Sequence, residues 1–535
     1  MTTFSCKESF LDSVPSNKVN TGDFYRNDDD FIKATNGIYT SAFTPYRQDM
    51  EYFPWIDMAT PIAVKGGGRF GVFQWGGSNQ GFTATNYHGD QKGWWNNWWI
   101  GVARANEVIA RVGQKGGNIS TDALRNRVLG EAKFLRAQLY FFLTYIWGDV
   151  PLYKEPVTDA TTYPKRAPHA EVVELMIQDL KDAETLLPSV TEYRNKATNM
   201  GRASRGAAMG LLGKIYCFEK RWAEAEDELN KVILSNDYQL IQGAAGFNSL
   251  FLPTGENGLE SIFEIQYGIG FGDALGNAFV TFCARGNSGI DPGGNGNNYI
   301  EPTEYLTDKY ETINGYSVHS EWISRSTRDS FQFTSADPAF DPLKSFENRD
   351  PRLMYTVMYE GSPYLAAKWP KNTFTAAKGT ESNYATAKYI YPQPAAYQSE
   401  MNMVVMRYAD VLLLYAEACM EQNTDAKRAI AVTNVNLVRS RVGMPGVPAN
   451  VATDETLLRN YIHDERIREL ACEYGHVFFD MRRWGTWVQE MKSWYTANKH
   501  GRGNTATLLD EHNVLWPISK SELDANVNLK QNPGY

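Results

Sequence analysis

The chain has 535 residues, 43% of them hydrophobic, with 53 Lys and Arg against 62 Asp and Glu. That composition supports a large packed core and argues against global disorder. A net charge of −9 without a Lys/Arg block leaves no basic footprint for nucleic acid.

The N-terminus, with Ser5-Cys6-Lys7-Glu8, is polar and extended, and it carries a Cys after a small residue. The other cysteines are Cys217, Cys283, Cys419 and Cys472. None has the C-x-x-C spacing of a zinc or redox motif. No apolar run approaches the roughly 18 residues of a membrane-spanning helix.

Periodicity then orders the chain. A helix is predicted near Phe31 to Phe43, after the acidic run Asp28-Asp29-Asp30. Residues 44–93 are rich in Gly, Pro, Asn and aromatics and read as a long irregular loop. Helices follow at Trp94 to Val112, at Asp122 to Trp147 (capped by Thr121, stopped by Gly148) and at Ala170 to Leu187. A helix pair at Arg202 to Phe218 and Trp222 to Leu234 has Leu212, Gly213, Tyr216, Ala225 and Leu229 at tetratricopeptide spacing. Small residues there let two helices approach closely.

Residues 240–400 break the pattern, with strand-like pieces at Ser261 to Tyr267 and Lys388 to Tyr391 among Gly, Asn, Asp and Pro. Helices return at Val404 to Met420, Ala426 to Val442, Glu455 to Glu473 and His476 to Trp484. The expected fold is mainly α: a tetratricopeptide-like helical-repeat scaffold with a large, loop-rich, strand-poor insertion. The segments are an N-terminal tether over 1–30, a helical-repeat part over 31–240 with the aromatic loop 44–93, an irregular insertion over 241–400, and a C-terminal helical part over 401–535.

Motifs for catalysis are absent. Gly268-Ile269-Gly270-Phe271-Gly272-Asp273 fails the dinucleotide pattern at its third glycine. There is no phosphate-binding loop and no serine elbow. His463-Asp464-Glu465-Arg466-Ile467 lacks the second His of a zinc helix. Glu465 and Glu469 stand four apart on one helical face, a spacing that two acids of a surface glycoside hydrolase could share. Arg466, Arg468, Arg482 and Arg483 are close in sequence, and an ion-pair network that docks helices is the stronger reading.

Several blocks together carry a resemblance. They are Arg136-Ala137 with Tyr140-Phe141-Phe142, Trp147-Gly148-Asp149-Val150-Pro151-Leu152, the run Arg407 to Ala418, and Asn436 with Val438-Arg439, Arg441 and Gly443. Glu465-Arg466 with Glu469-Leu470, Glu473-Tyr474-Gly475-His476 and Phe479-Asp480-Met481-Arg482-Arg483-Trp484-Gly485 form the most specific block. Leu515-Trp516-Pro517-Ile518 and Gln531-Asn532-Pro533-Gly534-Tyr535 close the chain. In this order they resemble the RagB/SusD family, with Val477 departing where many members carry Arg.

The resemblance implies a non-catalytic, cofactor-free nutrient-binding lipoprotein of the outer membrane at the cell surface. It implies a partner, a SusC-like TonB-dependent transporter, to which oligosaccharides, or in some members peptides, are delivered. Cys6 becomes the lipid anchor, the sole membrane attachment. A purely structural helical-repeat adaptor is a further alternative. Glycans present apolar C–H faces that Trp and Tyr rings stack on. The expected ligand-binding residues are Trp75, held among glycines, Trp94 and Trp95 from the N-terminal half, and Tyr299 and Trp322 from the insertion. Trp98 and Trp99 are assigned to the core.

Overall fold

The structure is a computed structural model. It describes residues 24–43, 53–65, 89–159, 163–268, 300–325, 329–359, 361–364, 367–368, 384–392, 399–497 and 509–535, together with residues 277, 279, 283 and 382. Cys6, Trp75 and Tyr299 lie outside the described residues.

Helices form where the sequence supplies both an apolar face and a cap. Helix α1 spans Asp28–Phe43 with three aspartates in its first turn, where they complement the helix dipole. Helix α2 spans Gly89–Lys115 and α3 spans Asp122–Trp147. The Thr121 side chain accepts from the Leu124 N–H, and Gly148 at φ 75° ends α3. Helix α4 is His169–Leu186, α5 is Arg205–Phe218 and α6 is Trp222–Leu234. Ser204 caps α5 through the Ala207 N–H.

These helices pack in succession: α1 on α2, α2 on α3, α3 on α4, α4 on α5, and α5 on α6. A Cβ placed on Gly213 of α5 would lie 2.5 Å from Leu229 Cγ of α6. Only hydrogen fits at that crossing, which explains the small residue in the repeat-like pattern.

The second helical group is α8 (Tyr408–Glu421), α9 (Asp425–Ser440), α10 (Glu455–Leu470), α11 (His476–Trp484) and α12 (Trp487–Ala497), with α13 (Lys520–Ala525) in the tail. Helix α8 packs against α6, α9 and α10, which joins the two groups. Between them lies α7 (Glu304–Lys309).

Strands are short and pair two by two. Strand β1 (Ala63–Lys65) pairs antiparallel with β3 (Ile300–Pro302), and β2 (Ser261–Ile265) with β8 (Met403–Arg407). Strands β4 (Val318–Arg325) and β5 (Asp329–Ser335) form a hairpin, and β6 (Val357–Met358) pairs with β7 (Ala385–Thr386).

Three expectations are corrected. The stretch 44–93, read as one irregular loop, holds a 3-10 helix at Phe53–Ala59, strand β1 and the first residues of α2 among its described residues. Residues 403–407 are strand, so the helix predicted from Val404 begins at Tyr408. The run is buried on both sides, and its apolar pattern does not separate helix from strand. Lys388 to Tyr391 is a turn and not a strand; Lys388 and Tyr389 are instead held inside the core. Helix α12 and the β4–β5 hairpin were not anticipated.

The core is continuous and aromatic at one end. Trp94 stacks on Trp98 and Trp516 at 6.0 Å each, and Trp95 meets Trp147 edge-on at 5.1 Å. The Trp516 N–H donates to the Ile146 carbonyl, which stitches the tail to α3. Among the described residues, no helix is long and apolar enough to cross a membrane.

Candidate functional site

The site is built on a charged foundation. Arg352, Lys388, Arg407, Arg439, Arg441 and Arg468 meet Glu260, Glu311, Asp350, Glu465, Glu469 and Glu473 in one buried network. Six cations face six carboxylates, so the charge balances. Arg352 donates to Glu465 at 2.6 Å and to Glu469 at 2.8 Å, and it forks onto Asp350. Arg407 forks onto Glu473 at 2.7 and 2.9 Å and also reaches Glu260. Arg439 bridges Glu465 and Glu311.

This arrangement decides the role of Glu465 and Glu469. Both are fully buried. Burial alone raises a carboxyl's pKa, but the guanidinium groups around these two win and hold them well below the usual range. Permanently ionised, water-excluded carboxylates saturated by arginine neither reach a polysaccharide nor donate a proton to one. They clamp the insertion onto α10 instead.

The clamp fixes α7. Lys309 at its end donates to Asp464 of α10 at 2.7 Å, and the Tyr310 hydroxyl donates to the Arg468 carbonyl. From the other side α12 contributes: the Trp494 indole donates to Glu304 at 2.8 Å. The Trp487 indole donates to the Ala59 carbonyl, and the Thr303 N–H donates to the Ile62 carbonyl. Thus β1, β3 and α7 form one block.

Lys65 of β1 pairs with Ile300 of β3. Residues 66–88, which include Trp75, start directly after Lys65, and Tyr299 directly precedes Ile300. The two aromatic-bearing segments therefore depart from the same end of one two-stranded ladder. The Ser382 N–H donates to Glu301 at 2.7 Å, which ties a third segment to the same place.

The β4–β5 hairpin stands on α7. Asp308 accepts from both the N–H and the hydroxyl of Ser320, at 2.9 and 2.8 Å. Burial pushes the Asp308 carboxyl up to about 6, against the pull of those two donors. Alternation along β4 puts Val318, Ser320 and Trp322 on one face and exposed His319, Glu321 and Ile323 on the other. Trp322 is half-buried and sits opposite half-buried Phe331.

Behind them runs an aromatic file. Phe331 meets Phe333 at 6.5 Å, Phe333 meets Phe346 at 5.5 Å, and Phe346 stacks on Tyr359 at 4.2 Å and 19°. A partly exposed indole mounted beside such a file of rings is an apolar surface.

The structure corrects one expected site residue outright. Trp94 is 1% exposed and stacked in the core, so it offers no face to a ligand. The sequence placed it at a helix start, whereas α2 begins at Gly89, and its partner Trp516 lies more than four hundred residues away in the chain. Trp95 is 4% exposed, yet its ring lines a surface cleft with half-buried Trp99. Trp98 is buried. Phe331 was missed; its alternation with Phe333 was the available signal.

Residues 259–535 match the SusD family model, over half of the chain. The chain belongs to the SusD family. Residues 72–217 also match a model described as starch-binding associating with outer membrane.

Among SusD-like relatives, one from Formosa agariphila is 23% identical over 99% of this chain and 97% of its own. The starch-binding protein SusD of Bacteroides thetaiotaomicron is 22% identical over 78% of this chain and 74% of its own. A SusD-like crystal structure from Bacteroides fragilis superposes with a TM-score of 0.76 at 21% identity, covering 98% of this chain and all of that one. Surface glycan-binding protein A from Bacteroides thetaiotaomicron, in complex with laminarihexaose, superposes with a TM-score of 0.69 at 19% identity, covering 95% and 99%. The SusD fold is thus shared along nearly the whole chain.

Proposed function

We propose that this SusD-family chain captures oligosaccharides at the outer membrane without cleaving them and passes them to a SusC-like TonB-dependent transporter. The observation that carries the reading is Trp322, a partly exposed indole on a hairpin fixed to the block whose strands β1 and β3 adjoin, in sequence, the Trp75 and Tyr299 stretches. Such rings stack on the C–H faces of sugars. Support comes also from family membership and from fold neighbours that include a glycan-binding protein holding laminarihexaose.

In this reading Trp75, Tyr299 and Trp322 form the aromatic platform and Cys6 carries the lipid. The helical-repeat face docks on the transporter. The non-catalytic part rests on the carboxylates of α10, which are committed to arginines.

Affinity electrophoresis against starch, laminarin, xylan, mannan and pectin, with a peptide mixture alongside, tests it. The expected result is retardation by at least one glycan, with no new reducing ends over time. Uptake of peptides alone, or release of reducing ends, overturns it.

A further inference from the structure

A second site is visible away from the hairpin, with no lining residue in common. A cleft of about 330 Å³ opens between α2, the segment that follows α3, and the C-terminal tail. Its floor is made of rings: Trp99 meets Trp95 edge-on at 5.5 Å and Tyr153 edge-on at 5.6 Å. At its mouth stand Val157, 53% exposed, and Tyr163, 49% exposed.

The walls are pinned. Asn106 of α2 donates its amide to the carbonyls of Tyr153 and Glu155, at 3.0 and 3.2 Å. From the tail, Asn526 donates to the Pro164 carbonyl at 3.0 Å and Asn528 to the Tyr163 carbonyl at 2.5 Å. A pinned cleft loses little freedom when it binds.

Its charged groups among the described residues have one sign. Glu155 and Glu522 line the cleft, and among the described residues no lysine or arginine does. Neither carboxylate has an ion-pair partner among the described residues. Aromatic walls suit the C–H faces of a sugar ring, and ionised carboxylates accept hydrogen bonds from its hydroxyls. The same carboxylates repel a uronate or sulfate group. The volume lies at the lower end of the about 300–1,000 Å³ typical of ligand pockets, so a short piece fits and a polymer span does not.

We propose that this cleft is a second carbohydrate subsite that holds the end of a neutral oligosaccharide and discriminates against acidic ones. The proposal rests on the glycan-capture reading. Two contact points on one ligand raise overall affinity when a chain spans them and otherwise act as independent sites.

Calorimetric titration with neutral laminari-, malto-, xylo- and manno-oligosaccharides, and with oligogalacturonate, tests it. Trp322→Ala silences the hairpin, and Tyr163→Ala or the pair Glu155→Gln and Glu522→Gln alters the cleft. Tyr163 is half-exposed, so its truncation leaves the melting temperature unchanged, and thermal unfolding checks this. In the Trp322→Ala background a neutral sugar still binds, and adding Tyr163→Ala weakens it at least fivefold. The glutamine pair narrows the preference for neutral over acidic sugars. If the wild type binds a neutral sugar and both cleft changes leave the isotherms unaltered, this proposal fails alone. If the wild type binds no sugar, it falls together with the glycan reading.

Discussion

Lys65 and Ile300 face each other across an antiparallel ladder, so segments more than two hundred residues apart begin side by side. Directly paired Cα atoms lie about 4.5–5.5 Å apart, within disulfide range. The double substitution Lys65→Cys and Ile300→Cys is therefore expected to close a cross-link under mild oxidation. Thiol titration of the unfolded protein should lose two thiols relative to the reduced form, and glycan binding should persist.

Glu469 lies at the centre of the buried charge network, with Arg352, Arg407 and Arg441 all donating to it. Removing one member of a buried pair leaves the others uncompensated and costs about 3–5 kcal/mol. Glu469→Ala should lower the denaturant midpoint accordingly.

The crossing of α5 and α6 tolerates no side chain at Gly213. Gly213→Val should force Leu229 and α6 outward, at a cost of about 1–3 kcal/mol. Chemical denaturation reads this, and circular dichroism should show the helices retained.

Two sets of buried groups should tilt the stability profile in opposite directions between about pH 4 and 8. His463 and His476 are buried and pushed down to about 4. Between the ordinary histidine value and about 4, the unfolded chain takes up protons that the folded chain refuses, so acid destabilises. The arginine-held carboxylates add to this at lower pH. Asp57 behaves oppositely: burial pushes it up to about 8, and its oxygens meet no well-oriented donor among the described residues. The folded protein keeps that proton while the unfolded chain loses it above the ordinary Asp range. This contribution is present in acid and disappears as pH rises through about 8. Asp57→Asn should remove the downward slope that this group imposes on a melting-temperature profile between the ordinary Asp range and about pH 8, and leave the slope above pH 8 unchanged.

The helices were legible because their signals are local. Thr121 and Gly148 bracket α3 in the sequence as they do in the structure. The ion-pair reading of Glu465 and Glu469 was accessible in kind, but of the four nearby arginines Arg468 alone pairs with Glu465 among the described residues, while Arg466 pairs with Asp410 and Asp480 and Arg483 with Glu417 and Asp480. The other four arginines that hold them, Arg352, Arg407, Arg439 and Arg441, come from segments that no local pattern joins to α10. The same limit hid the Trp94–Trp516 stack, and with it the burial of Trp94. The strand at Met403–Arg407 was read as helix because a short, fully buried apolar run carries no periodicity. Trp322 was nameable as an aromatic of the insertion, whereas its mounting through Asp308 and Ser320 is a tertiary feature.

Glycan capture through Trp322 is the central claim, and calorimetry on Trp322→Ala tests it most directly. Against the best oligosaccharide of the screen, the account predicts at least a tenfold loss of affinity, about 1.4 kcal/mol, with thermal unfolding close to wild type. An unchanged isotherm for Trp322→Ala would contradict the assigned platform, and the absence of binding to every glycan would contradict the function.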